Sequence, residues 1–143
     1  MLCNHVRRDT LRTSSRSMRE RMRRELARGD ARRFDLKQDP GGIADIEFLA
    51  QYWALCWARD YPPVAMFSDT IRQLESVASA DLVAQADVDL LTSAYRAYRA
   101  RIHRLSLDGA AAIVPVEEFA DARAAVTALW NATLCADGPG AQV

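Results

Sequence analysis

The sequence predicts an all-α protein, a helical bundle of four to five helices with one short extended segment near residues 34–37. Three observations carry this. The long segments with a regular apolar pattern repeat at three- and four-residue steps. Glycine and proline turns separate them. Period-two alternation is confined to Phe34-Asp35-Leu36-Lys37. A chain of 143 residues, half of them apolar, suits one domain with its own core.

Residues 1–14 show neither periodicity nor turn chemistry and read as a ragged or disordered start. Over 15–28, Met18, Met22 and Leu26 recur at four-residue spacing, Glu20 and Arg24 form an i,i+4 pair, and Gly29 stands where a C-cap is expected. After the extended segment, Gln38-Asp39-Pro40-Gly41-Gly42 has the composition of a turn. A helix over 43–60 follows. At 100° per residue, Ile46, Leu49, Trp53, Cys56 and Trp57 share one broad face, which Phe48, Tyr52 and Leu55 widen. Glu47, Gln51, Ala54 and Ala58 leave only a narrow polar or small strip, so this helix is expected to be buried on most sides.

Tyr61-Pro62-Pro63 ends it. Ser68 or Asp69 can cap the next helix, which carries Ile71, Leu74 and Ala78. Leu91, Tyr95, Tyr98, Ile102 and Leu105 mark a helix over 86–108 closed by Gly109. Phe119, Ala122, Val126, Leu129 and Thr133 mark another over 116–135, with Pro115 placed to start it. These stripes are packing seams. The helical domain runs over 15–136, and 137–143 is a Gly/Pro-rich frayed tail.

Net charge is zero but unevenly spread. Residues 1–33 hold eleven arginines against four acidic residues, a balance of +7, and the remainder carries −7. A basic helix face docking on an acidic neighbour explains this better than a nucleic-acid arm, because no aromatics are interleaved with the arginines. No nucleic-acid partner is expected. No apolar run approaches the ~20 residues of a membrane span, and no secretory signal is present, so a cytoplasmic protein without membrane contact is expected. Cys3, Cys56 and Cys135 have no metal-ligand spacing, and Cys56 reads as a small core residue.

The stretch FDLKQDPGGIADIEFLAQ, from Phe34 to Gln51, has the most unusual local order. A glycine turn opening a helix can present backbone N–H groups at Gly41, Gly42 and Ile43 to an anion, with Lys37 adding a point charge. The order is not that of a P-loop. Asp45 and Glu47 lie about 200° apart on the helix wheel and cannot easily share one metal ion. Asp45 falls on the apolar arc and needs a partner there: the N–H groups of the helix start, Lys37, or an arginine. Glu47 and Gln51 share the other face. His5 and His103 have no nucleophile or carboxylate at a suggestive spacing, so no catalytic or metal-binding residue is assigned.

Several segments together resemble glutamate-ammonia-ligase (glutamine synthetase) adenylyltransferases: MRERMRREL, FDLKQDPGGIADIEFLAQY, the Ser68–Glu75 helix, LLTSAYRAYRARIHRLSLDG and VPVEEFADARAAVTALW. The glycine turn is also similar to one in uridylyltransferases of the PII signalling protein. The resemblance covers about Met18 to Leu134 and is closer to the C-terminal, adenylylating half. It implies a helical domain following a nucleotidyltransferase core that this chain lacks. The parent enzyme would transfer AMP from ATP, with Mg²⁺, to glutamine synthetase, and would answer to PII. The family's Gly-Ser turn and metal-holding Asp-x-Asp pair are not found; Asp87-Val88-Asp89 has the letters but opens a helix. The resemblance therefore implies that Lys37, Gly41, Gly42, Ile43, Asp45, Glu47 and Gln51 support a nucleotide site on the upstream core. The alternative is a docking module for glutamine synthetase or PII.

Overall fold

The structure, a computed structural model, describes residues 5–57 and 69–134, with side chains from residue 10 onward and to residue 56 in the first stretch. The chain is an all-α helical bundle. Its elements are α1 (His5–Leu26), β1 (Arg33–Asp35), α2 (Ile43–Trp57), α3 (Thr70–Ser79), α4 (Gln85–Leu107), β2 (Ile113–Pro115) and α5 (Ala120–Leu134). The proline turn at 61–63, the cap at Ser68 and the tail over 137–143 lie outside the described residues.

Helix α2 is the hub, packed against α1, α3, α4 and α5. Ile46, Leu49, Trp53 and Cys56 are buried along it, as their common face requires. Ala54 is buried too, and Leu55 is instead 50% exposed, so the solvent strip runs through Gln51 and Leu55. The α4 seam holds, whereas α5 buries Val126, Trp130 and Leu134 and leaves Phe119, Ala122 and Leu129 of its expected seam only partly buried. Leu91, Tyr98 and Leu105 meet Val126 and Trp130 in one core, with Leu74 and Val77 of α3.

Caps set several boundaries. Asp69 accepts the N–H of Arg72 at 3.1 Å and opens α3. Gly109 (φ +71) follows α4, where its N–H reaches Ser106 O at 3.0 Å and that of Ala110 reaches Leu105 O at 2.8 Å, a Schellman closure.

Several expectations are corrected. Helix α1 begins at His5, so residues 5–14 are helical rather than ragged. Its inward face is built from arginine: Arg19 is fully buried while Met18 and Leu26 are 56% and 50% exposed. Met18 and Leu26 of the four-residue stripe therefore point outward, and Met22 is only partly buried. Gly29 is no left-handed cap, since its φ is not positive. Asp39 presses so close that a Cβ there would lie 1.6 Å from Oδ2.

A further correction concerns the sheet. The extended segment is one strand of an antiparallel pair, with Arg33 opposite Pro115, Phe34 opposite Val114 and Asp35 opposite Ile113. Pro115 thus belongs to β2, and α5 starts at Ala120 rather than 116. Flanking bonds from Leu36 N to Ala112 O (2.9 Å) and Val116 N to Arg32 O (3.0 Å) lengthen the ribbon. Phe34 and Tyr98 meet edge to face at 5.7 Å, and Tyr98 meets Phe119 at 5.2 Å, anchoring the ribbon on α4.

Candidate functional site

The glycine turn is clamped from two sides. From α1, Arg19 Nε donates to Asp45 Oδ1 at 2.7 Å, and its Nη2 donates to the carbonyl of Gln38. Arg23 Nη2 stands 3.5 Å from the same Asp45 oxygen. From α5, Arg123 Nε donates to Pro40 O at 2.8 Å, while its guanidinium lies 4.3 Å from the centre of the Phe34 ring. Burial lowers the pKa of Arg19 and the facing Asp45 carboxylate opposes that shift.

Asp45 faces this clamp, and of the partners considered for it, two are used: Arg19, and the helix-start N–H of Gly41 at 2.8 Å from Oδ2. Lys37 is not among them. Gly41 needs its residue type, since φ is +82 and a Cβ would lie 2.6 Å from Arg123 O.

The expectation that the N–H groups of Gly41, Gly42 and Ile43 face an anion is corrected. Gly41 N–H serves Asp45, Gly42 N–H serves Asp39 O at 3.0 Å, and Ile43 N–H serves Leu36 O at 2.8 Å. Even Ala44 N–H is spent, on Lys37 O at 3.0 Å. The helix start satisfies itself, which makes the turn stiff.

The carboxylates here do not fit Mg²⁺ either. Asp35, fully buried, accepts N–H groups from Lys37 (2.9 Å), Gln38 (3.1 Å) and Arg28 (3.0 Å). Asp39 accepts from Asp35 N at 2.9 Å. Their oxygens hold the turn together, and a hard cation would have to displace those donors. No group of three or more potential metal ligands occurs among the described residues.

What the turn presents outward is Lys37. Its side chain is exposed and lines a cleft of about 460 Å³ together with Ile43 and Glu47. Helix α4 supplies the opposite wall with Arg99, Ile102 and His103. Of the residues singled out in the sequence, Lys37, Ile43 and Glu47 come together here. Asp45 turns inward to α1, and Gln51 is exposed without lining the cleft.

Sequence reasoning missed Arg19, Arg123 and Arg99, and set His103 aside for want of a nucleophile or carboxylate at a suggestive spacing. The i,i+4 spacing of Arg99 and His103 was the available signal, hidden by the arginines around them. Arg19 had none, because its partner lies 26 residues away.

The family model described as GlnD PII-uridylyltransferase matches residues 16–112. The chain belongs to this family. Its curated relatives are similar over most of its length. A bifunctional glutamine synthetase adenylyltransferase/adenylyl-removing enzyme from Thioalkalivibrio sulfidiphilus is 48% identical over 124 residues, covering 87% of this chain and 13% of the relative. Proteins of the same description from Nitrosococcus oceani and Pseudomonas aeruginosa are 48% and 44% identical over 87% and 86% of this chain. The chain spans only 13–14% of these relatives' length. The resemblance to the adenylyltransferases, first carried by the FDLKQDPGGIADIEFLAQY stretch, is thereby shown. Among the described residues, no helix is long and apolar enough to cross a membrane.

Proposed function

We propose that this chain is the helical domain that supports the nucleotide site of an enzyme adenylylating and deadenylylating glutamine synthetase, in the cytoplasm. The observation that carries it is the contrast within the turn. Gly41, Gly42 and Asp45 spend their polar groups on rigidity, while Lys37 is held outward on that rigid base, at the mouth of a cleft. Phosphoryl-transfer sites gain most of their rate from charges positioned in advance, and a stiff platform for one cation supplies that.

In this account the metal ligands and reacting groups lie on the nucleotidyltransferase core, and Mg²⁺ and ATP bind there. Incubating the purified chain with labelled ATP, Mg²⁺ and glutamine synthetase tests the division of labour. No AMP incorporation is expected, and reproducible incorporation would overturn it.

A docking role for glutamine synthetase or PII is the second reading. Its support is the unburied apolar surface at Met18 and Leu26 on α1 and Leu55 on α2. A Met18→Ser, Leu26→Ser double variant in the parent that loses glutamine synthetase binding while ATP kinetics stay intact would favour it.

A further inference from the structure

The cleft beside the glycine turn carries more unspent polar chemistry than support of a neighbour requires. Lys37, Arg99 and His103 all line it, and none of their side chains has a hydrogen-bond or ion-pair partner among the described residues. Arg99 makes only a loose approach to the Tyr95 ring, at 5.7 Å from its centre. Gln38 lines the same cleft, and its Oε1 is buried with no hydrogen-bond partner among the described residues. Glu47 adds an acceptor whose nearest donor, Tyr95 Oη, is at the long distance of 3.5 Å. Two permanent cations against one carboxylate leave the lining net positive, and the imidazole is an N–H donor in either protonation state. Ile43, Phe48 and Ile102 give it an apolar wall. A volume of about 460 Å³ is that of a small-molecule site.

We propose that this cleft is itself a binding site for a nucleoside phosphate, with Lys37, Arg99 and His103 on the phosphates, Gln38 and Glu47 on hydroxyl or amino groups, and Phe48 and Ile102 against the base. Oxyanion donors, an orphaned acceptor beside a weakly bonded carboxylate, and an apolar wall in one cleft match the three parts of such a ligand. A bare oxyanion would leave Gln38 and Glu47 unanswered. The proposal rests on the nucleotide-side reading only for its class of ligand, since every contact it names lies on this chain.

The test is calorimetric titration of the 143-residue chain with ATP, tripolyphosphate and adenosine in turn. ATP is expected to bind saturably and more tightly than either part. Lys37→Ala and Arg99→Ala should each weaken it about tenfold, as the loss of one charge-assisted contact implies. Both side chains are exposed, so neither change should unfold the bundle. Arg96→Ala, on the same helix but lining a different surface, should leave binding unchanged. Absence of saturable ATP binding, or binding indifferent to Lys37→Ala and Arg99→Ala, overturns the proposal. Equal affinity for tripolyphosphate and ATP overturns the nucleoside assignment. Binding by the chain alone, with unaltered ATP kinetics in a Lys37→Ala parent enzyme, would leave the cleft standing and remove the support role.

Discussion

Nε of Arg19 and Oδ1 of Asp45 stand 2.7 Å apart, both side chains buried, and this pair ties a basic helix to the first turn of α2. Neither charge could be left there alone. Each side chain has one further hydrogen-bond partner, Gly41 N–H for the carboxylate and the Gln38 carbonyl for Nη2 of the guanidinium, and Nη1 is the one polar atom of the pair left without one among the described residues.

Asp45→Ala removes the ionic partner of a buried guanidinium. Breaking a buried pair from one side costs about 3–5 kcal/mol, which for a domain of this size lowers Tm by roughly 10 °C. Differential scanning calorimetry of the chain checks it, and an unchanged Tm would show that Arg19 finds another acceptor. Arg19→Met, which keeps the length of the side chain without its charge, should cost less than Asp45→Ala.

Gly41→Ala places a Cβ at positive φ against the α5 backbone. The left-handed penalty alone is about 1–2 kcal/mol, and the contact of 2.6 Å with Arg123 O adds to it because backbone cannot swing aside. Denaturant unfolding should show a midpoint lowered by more than that penalty predicts. A neutral outcome would mean that the turn is not held as described.

Tyr98 supplies a pH-dependent check. Its ring is fully buried and its hydroxyl has no partner among the described residues. Burial pushes the phenol pKa well above its usual value, Arg123 offsetting this in part and Asp45 adding to the rise. A group whose folded pKa is raised gives stability that is present below the unfolded pKa, about 10 for tyrosine, and lost as pH climbs above it. Unfolding free energy should thus fall above pH ~10, and Tyr98→Phe should reduce that fall. At neutral pH the same variant should gain about 1 kcal/mol by removing an unsatisfied buried hydroxyl. Equal alkaline slopes for both proteins would refute this.

How far the sequence spoke for the structure depended on what each helix buries. α2, α4 and α5 bury apolar stripes, and the pattern marks them. α1 turns arginine inward, with Arg19 buried and Arg23 half-buried, and exposes Met18 and Leu26, so hydrophobic periodicity pointed to the wrong face and missed the first turns. Pro115 suits a helix start and a short strand equally, and only the ladder to Arg33 decides between them. At the site, the sequence located the turn and the need for a partner at Asp45. It could not show that the turn's amides serve Asp45, Asp39 and Leu36, because those bonds depend on how the chain folds back on itself.

If the turn's rigidity serves the cation it presents, kinetics of the proposed parent adenylyltransferase respond to that cation. Lys37→Ala should lower kcat/KM for ATP by about ten- to a hundredfold, the equivalent of roughly 1.5–3 kcal/mol, with Tm almost unchanged because the side chain is exposed. Asp45→Ala should lower both activity and Tm. A Lys37→Ala enzyme with the ATP kinetics of the unaltered protein would contradict this role.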